Sequence, residues 1–217
     1  MSHDHDHDHD DDHGHGHPHA APDDHSDAIT PHRLLEQALR ELLIEKGVLT
    51  ADMIQRRIDT LDSRSPALGA KVVAKAWANP AYEARLLADP RGALADIGVD
   101  FGFIADLGVL RNTPGRHHLV VCTLCSCYPK GLLGVPPAWY KSLAYRQRAV
   151  SDPRGVLAEF GTVLPETTAI TVVDSTADVR YIVLPERPAG TEGWSEERLA
   201  TLVTRDSMIG VARPALP

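Results

Sequence analysis

The chain has 217 residues, 43% of them hydrophobic, and a formal net charge of -8 at pH 7. A chain of this length and apolar content can bury a sizeable core, and its negative charge without any Lys- or Arg-rich run predicts that it binds neither nucleic acid nor an anionic membrane surface. No segment approaches the roughly 20 apolar residues of a transmembrane helix, and the N-terminus lacks the basic start and apolar stretch of a secretion signal, so we expect a cytoplasmic protein.

Residues 1–29 alternate His with Asp and then with Gly or Pro, and they offer almost nothing to bury. This polar, low-complexity composition predicts a disordered tail. It contains nine of the twelve histidines, namely His3, His5, His7, His9, His13, His15, His17, His19 and His25. The tail can bind divalent ions loosely through imidazole and carboxylate groups. The alternative is a solubilising tail or an expression artefact without a function.

Residues 30–98 carry the signals of successive helices. Thr30 and Pro31 form a typical helix start, and apolar residues then recur at helical spacing until Gly47. Thr50 and Asn79 are predicted caps of two further helices, and Pro66 opens another. The expected helices span residues 31–46, 51–61, 66–77 and 80–87.

From about His118 the pattern changes to short runs of β-branched residues, which predict strands. The expected strands span residues 118–121, 169–173 and 179–184. Asp152 and Pro153 predict a helix start between them, and Ser195 predicts a late helix that continues to about Val203. Helices first and a sheet-containing half afterwards indicate the α+β class.

Cys122, Cys125 and Cys127 directly follow the predicted strand that ends at Val121. The Cys-x-x-Cys spacing puts two thiolates on one side of a turn, and Cys-x-Cys adds a third sulfur. In so short a loop the peptide nitrogens of Ser126 and Cys127 face the same centre, so three thiolates and two deprotonated amides can fill five octahedral positions. Such strong donors favour trivalent low-spin cobalt or iron over magnesium or calcium, which prefer oxygen ligands.

Two other cysteine sites are less well supported. A structural zinc ion needs a fourth ligand, which only His117, His118, His32 or the tail could supply as imidazole. A thioredoxin-like motif normally opens a helix beside a βαβ unit, whereas here Pro129 and the third cysteine interrupt that context.

The loop resembles the metal-binding segment of the cobalt-type nitrile hydratase α subunit, and also that of its relative, the thiocyanate hydrolase γ subunit. The resemblance covers about residues 33–212, and its most specific part is VVCTLCSCYP at residues 120–129. Other similar segments are residues 69–77, 79–80, 136–141, 145–146, 152–154, 187–193 and 202–211.

The resemblance implies a low-spin cobalt(III) ion held by the sulfurs of Cys122, Cys125 and Cys127 and by the amide nitrogens of Ser126 and Cys127. Thr123, where iron-type members usually have Ser, favours cobalt over iron(III). It further implies that Cys125 is oxidised to sulfinic acid and Cys127 to sulfenic acid. On this interpretation the catalytic residues are Cys127, Cys125 and Ser126.

The resemblance also implies a β-type partner subunit, in one chain or split into two, whose arginines hold the oxidised cysteines. A metal-insertion activator protein is a further implied partner. Residues 30–98 would then form a helical arm that packs on the partner, and residues 99–217 a layered α-β-β-α domain that carries the loop. Arg180 resembles a residue that supports the site from outside the ligand set, and a surface salt bridge is its alternative role.

The implied reaction is addition of water across the carbon–nitrogen triple bond of a small nitrile, giving an amide. Either the metal polarises the nitrile, or the Cys127 sulfenate oxygen attacks its carbon. Lys130 and Gly131 stand where many cobalt-type members have Trp-Pro, which predicts a more polar, larger or anionic substrate, unless Lys130 only faces solvent.

Two alternative functions stay open. The His/Asp tail resembles that of the thiocyanate hydrolase γ subunit, and thiocyanate is an anion. A non-enzymatic alternative is a cobalt carrier or storage protein in which the tail collects the metal.

Overall fold

A computed structural model describes residues 30–99 and 105–216 of the chain. The predicted tail at residues 1–29 lies outside the described residues. Helices dominate the first part: α1 (Pro31–Glu45), α2 (Ala51–Asp62), α3 (Pro66–Ala78), α4 (Pro80–Ala88) and α5 (Pro90–Ala95). Within the described residues, no helix combines the length and apolarity needed to cross a membrane.

Side-chain caps determine where these helices begin. Thr30, Thr50 and Asn79 each accept a hydrogen bond from the backbone amide three residues later, as the sequence predicts. Asp89 does the same for α5, with Gly92 N donating to Asp89 Oδ1 at 3.0 Å. This helix was not predicted, because its six residues are too few to show an apolar period.

The second part mixes strands with short helices. Its elements are β1 (Asp106–Arg111), β2 (Arg116–Val121), α6 (Lys130–Leu133), α7 (Ala138–Lys141), α8 (Leu143–Ser151), α9 (Pro153–Glu159), β3 (Ala169–Asp174), β4 (Val179–Leu184), α10 (Glu196–Ala200) and α11 (Arg205–Ile209). All three predicted strands are present. β1 was missed because Gly108 interrupts its apolar run, at a point where a Cβ would clash with the ring of Tyr181.

The predicted late helix is shorter than expected. It ends at Ala200, and Thr204 then begins the separate helix α11 through a capping box with Ser207. Gly210 ends α11 with φ of 90°. A Cβ there would overlap the carbonyl oxygen of His118, so only glycine lets α11 lie against β2.

The strands form two parallel pairs, β1 with β4 and β2 with β3. A tight turn with an antiparallel bridge between Thr113 and Arg116 joins β1 to β2, so these two strands run in opposite directions. In the second pair Val121 lies opposite Asp174, and both strands therefore end at the same edge. Helices and small parallel sheets together confirm the predicted α+β class.

The core contains side chains from both parts of the chain. Helix α3 contacts α10, α4, α6 and α11 through small buried residues such as Ala70 and Ala74. By contrast, neither α1 nor α2 has a buried residue. The division at residue 98 stays a prediction.

Candidate metal centre

The cysteine loop begins where the sheet ends. β2 stays paired up to its last residue, because Ser175 N donates to Val121 O at 2.7 Å beyond the end of β3. Cys122 is 1% exposed and packs in the hydrophobic core, so the first cysteine is anchored there. The chain then turns outward and returns to the core at Tyr128, which is 2% exposed.

The three cysteine sulfurs converge as predicted. The sulfurs of Cys122 and Cys125 are 3.6 Å apart, those of Cys125 and Cys127 are 3.3 Å apart, and all three lie within 4.8 Å of one another. Cys122 is buried, Cys127 is half-buried and Cys125 is exposed. The cluster therefore presents one side to solvent and the other to the core.

No histidine or carboxylate joins this cluster among residues 30–99 and 105–216. The imidazole of His117 contacts the Gly210 carbonyl at 2.6 Å, and that of His118 contacts Asn112 Oδ1 at 3.0 Å. Both rings are therefore engaged elsewhere in the core. A tetrahedral zinc site would lack its fourth ligand in the part of the chain that the structure describes.

The thiols influence one another's protonation. Hydrogen bonding from Cys127, and then from the backbone amide of Ser126, lowers the pKa of the Cys125 thiol. Burial, and then hydrogen bonding to Cys125, raises the pKa of the Cys127 thiol to about 12. A bound metal ion favours the deprotonated thiolate form of such cysteines.

The donor set fits a thiophilic ion with several strong ligands. Soft sulfur donors select transition metals, whereas magnesium and calcium require oxygen. The backbone amides of Ser126 and Cys127 both lower the pKa of Cys125, so both act on the sulfur side of the loop. The role of these two nitrogens as metal ligands stays a prediction.

Asp174 holds the start of the loop. The Thr123 amide donates to Asp174 Oδ1 at 3.0 Å, and the Thr123 hydroxyl donates to Asp174 Oδ2. From the other side, Arg146 Nη1 donates to the Thr123 carbonyl at 3.4 Å. The sequence placed Thr123 near the metal but assigned no role to either partner.

Two tyrosines contact the backbone at the ends of the loop. Tyr140 donates to the Cys127 carbonyl at 2.8 Å, and Tyr145 donates to the Val120 carbonyl at 2.6 Å. Sequence reasoning missed both contacts. The only signal was that these residues belong to segments that carry the family resemblance.

Arg180 lies on β4 close to the loop. Its charge contributes to lowering the pKa of Cys127, although burial outweighs this effect. Its buried Nη1 has no hydrogen-bond partner among the described residues. Arg180 also forms no ion pair among the described residues, whereas its alternative role in a surface salt bridge would require one.

Two exposed side chains lie within the loop or next to it along the chain. Leu124, between the first two cysteines, is 87% exposed. Lys130 is exposed at the first position of α6, just beyond the loop.

Residues 30–212 match the protein family described as nitrile hydratase, alpha chain. The chain is 46% identical over 196 residues to the high-molecular weight cobalt-containing nitrile hydratase subunit alpha of Rhodococcus rhodochrous, covering 89% of this chain and 97% of that one. It is also 46% identical over 199 residues to the thiocyanate hydrolase subunit gamma of Thiobacillus thioparus, covering 87% and 82%.

The fold resembles solved structures of the same kind. A recombinant thiocyanate hydrolase comprising partially modified cobalt centres aligns with a TM-score of 0.79 and 45% identity, covering 87% of this chain and 92% of that one. These similarities confirm the resemblance drawn from the loop and its flanking segments.

Proposed function

The chain belongs to the nitrile hydratase α-chain family, and from that premise we propose that it is the catalytic, metal-bearing subunit of an enzyme that hydrates nitriles to amides. The observation that carries this proposal is the convergence of three cysteine sulfurs within 4.8 Å at the end of β2. We expect the enzyme to work in the cytoplasm, where thiols stay reduced until they are used.

The metal we propose is cobalt(III), with iron(III) less favoured. The sulfurs of Cys122, Cys125 and Cys127 and the amide nitrogens of Ser126 and Cys127 would hold it. When bound, this ion supplies Lewis acidity toward the nitrile. The anchoring of Cys122 in the core keeps the ligand set attached to the sheet.

Cys125 and Cys127 are the candidates for oxidation, to sulfinic and sulfenic acid respectively. Their partial or full exposure supports this proposal, because oxidation requires access as well as thiolate character. Arg180 is proposed to support the Cys127 side of the cluster, since its charge acts on that sulfur.

An α subunit of this family functions in a hetero-oligomer with a β subunit. We propose that a β-type partner, in one chain or two, supplies arginines to the oxidised cysteines, and that an activator protein inserts the metal. The cluster faces solvent on one side, which leaves room for such groups. The chain alone is then expected to be inactive.

The helical arm is proposed to dock on that partner. Apolar side chains of α1 and α2 are widely exposed, including Leu34, Leu35, Leu39, Leu42, Met53 and Ile58. An exposed apolar surface of this kind marks an interaction site. A partner subunit is the expected occupant, because the relatives are themselves named as subunits of larger enzymes.

Co-purification with the β-type subunit tests whether the helical arm docks on that partner. Leu39→Asp places a charge in the apolar stripe and should reduce recovery of the partner. Gln37→Asp adds the same charge on the opposite face of α1 and should leave recovery unchanged. Equal recovery with both variants would contradict docking through this face.

The catalytic proposal is tested by co-expressing the chain with its β-type subunit in the presence of cobalt. The purified complex should contain cobalt, convert a simple nitrile to its amide and absorb visible light. Cys127→Ala should abolish turnover. Retained turnover in that variant, or unmodified thiols with chelator-labile zinc in the active complex, would refute the assignment.

Hydrolysis of thiocyanate is a second candidate, which the exposed ammonium of Lys130 beside the loop favours. The same complex assayed with both substrates separates the two functions. A cobalt carrier, the third candidate, predicts no turnover and rapid loss of metal to a chelator, whereas a low-spin cobalt(III) centre exchanges slowly.

A further inference from the structure

The hydrogen bonds from Tyr145 to Val120 and from Tyr140 to Cys127 differ in whether secondary structure also holds the accepting residue. Val120 lies within β2 and pairs with Val173 of β3, so its position is already fixed by the sheet. Cys127 lies outside every helix and strand. The Tyr140 hydroxyl is the only hydrogen-bond donor found for the Cys127 carbonyl among the described residues.

The Tyr140 side chain is itself rigidly placed. It is 0% exposed, and its ring meets that of Tyr128 edge-on at a centroid distance of 5.0 Å. The ring centroid of Tyr145 lies 5.8 Å from that of Tyr140. A buried phenol with these contacts has little freedom to reorient.

We propose that Tyr140 is a positioning residue that sets the direction of the Cys127 sulfur and amide toward the metal. This inference rests on the proposed function, because it assumes that Cys127 is a ligand. The Cys127 carbonyl and the Cα–Cβ bond belong to the same residue, so fixing the carbonyl limits rotation of the backbone that aims the sulfur. Without the phenol hydroxyl, the Cys127 carbonyl has no hydrogen-bond donor among the described residues, and the half-buried loop can turn toward water.

Tyr145 supplies a matched control. Tyr140→Phe and Tyr145→Phe each remove one buried hydroxyl, keep the aromatic ring and leave one backbone carbonyl without its donor. Both should lower the unfolding temperature of the protein to a similar extent. Only Tyr140→Phe should disturb the metal centre, because β3 still holds Val120 in place.

The experiment uses the full chain co-expressed with its β-type subunit and cobalt. Three quantities are measured for wild type and both variants: cobalt bound per chain, the visible absorption spectrum and the unfolding temperature. Tyr140→Phe should retain cobalt about 10- to 100-fold less tightly in competition with a chelator. Its thiolate-to-metal absorption should shift, while Tyr145→Phe should match wild type in both respects.

Several results would overturn the inference. One is a Tyr140→Phe complex with wild-type metal retention and spectrum. Another is equal loss of cobalt in both variants, which would mean that the hydroxyls act through general stability. A wild-type complex that holds no cobalt would remove both this inference and the proposed function. If wild type holds cobalt but converts neither substrate, the function fails, and the comparison of the two variants still decides the role of Tyr140.

Discussion

Asp174, the last residue of β3, accepts hydrogen bonds from both the amide and the hydroxyl of Thr123, with the amide contact at 3.0 Å. The carboxylate thereby ties the first turn of the cysteine loop to the neighbouring strand. Hydrogen bonds to an ionised acceptor are stronger than neutral ones, so this contact is a substantial constraint on the loop.

Asp174→Asn should therefore loosen the loop, because it removes the charge and one of the two acceptors. We expect cobalt retention and turnover to fall by about tenfold or more. The free energy of unfolding should change by no more than about 1 kcal/mol, because Asp174 is exposed. Glu166→Gln is the matched control: Glu166 is exposed and has no hydrogen bond or ion pair with other described residues. Equal effects in both variants would contradict a specific role for Asp174.

Ser126 is predicted to act through its backbone and not through its hydroxyl. Ser126→Ala keeps the peptide nitrogen and should retain cobalt and its visible absorption. Cys125→Ser replaces a sulfur donor by a weaker oxygen donor and should lose most of the metal. Metal content and absorption spectra of the two complexes check this. Loss of cobalt in Ser126→Ala would mean that the hydroxyl contributes to binding.

Lys130 is predicted to favour an anionic substrate. Lys130→Gln should raise KM for thiocyanate by about two- to tenfold and leave KM for a neutral nitrile nearly unchanged, with an effect that weakens at high salt. Lys141→Gln, which removes another exposed ammonium at the end of α7, should change neither value. An unaltered ratio of the two KM values in Lys130→Gln would show that this side chain only faces solvent.

His117 should make stability depend on pH. Its Nε2–H donates to the Gly210 carbonyl at 2.6 Å, so its Nδ1 is unprotonated and accepts from Asn112 at 3.1 Å. Burial is the main cause that lowers the pKa of His117, and it also lowers that of His118. The unfolded chain therefore binds these protons more readily than the folded one. The stabilising contribution is complete above the unfolded value of about 6.5 and decreases as the pH falls below it.

Urea unfolding of the metal-free protein at about pH 8 and about pH 5 measures this effect. Wild type should be less stable at the lower pH, and His117→Gln should show a smaller difference between the two conditions. His32 is exposed on α1, so His32→Gln should behave as wild type. A pH dependence in His117→Gln equal to that of wild type would contradict the prediction.

The metal site was predictable from sequence because its ligands are contiguous. Cys122, Cys125 and Cys127 lie so close along the chain that almost any turn after a strand brings their sulfurs together. The helix caps at Thr30, Thr50 and Asn79 were predictable for the same reason, since a cap depends on residues three positions apart. Helix α5 was missed because its six residues are too few to show a period, and β1 was missed because Gly108 interrupts its apolar run.

The sequence by itself thus determined the class of the fold, the cysteine cluster and the kind of metal that such donors bind. Only the tertiary structure decided which residues hold the loop in place. Asp174 reaches Thr123 across 51 positions because β2 and β3 run parallel and end at one edge, and the Tyr140 hydroxyl on α7 reaches the Cys127 carbonyl across 13 positions. Contacts of this kind depend on strand pairing and burial, which no local spacing along the chain encodes.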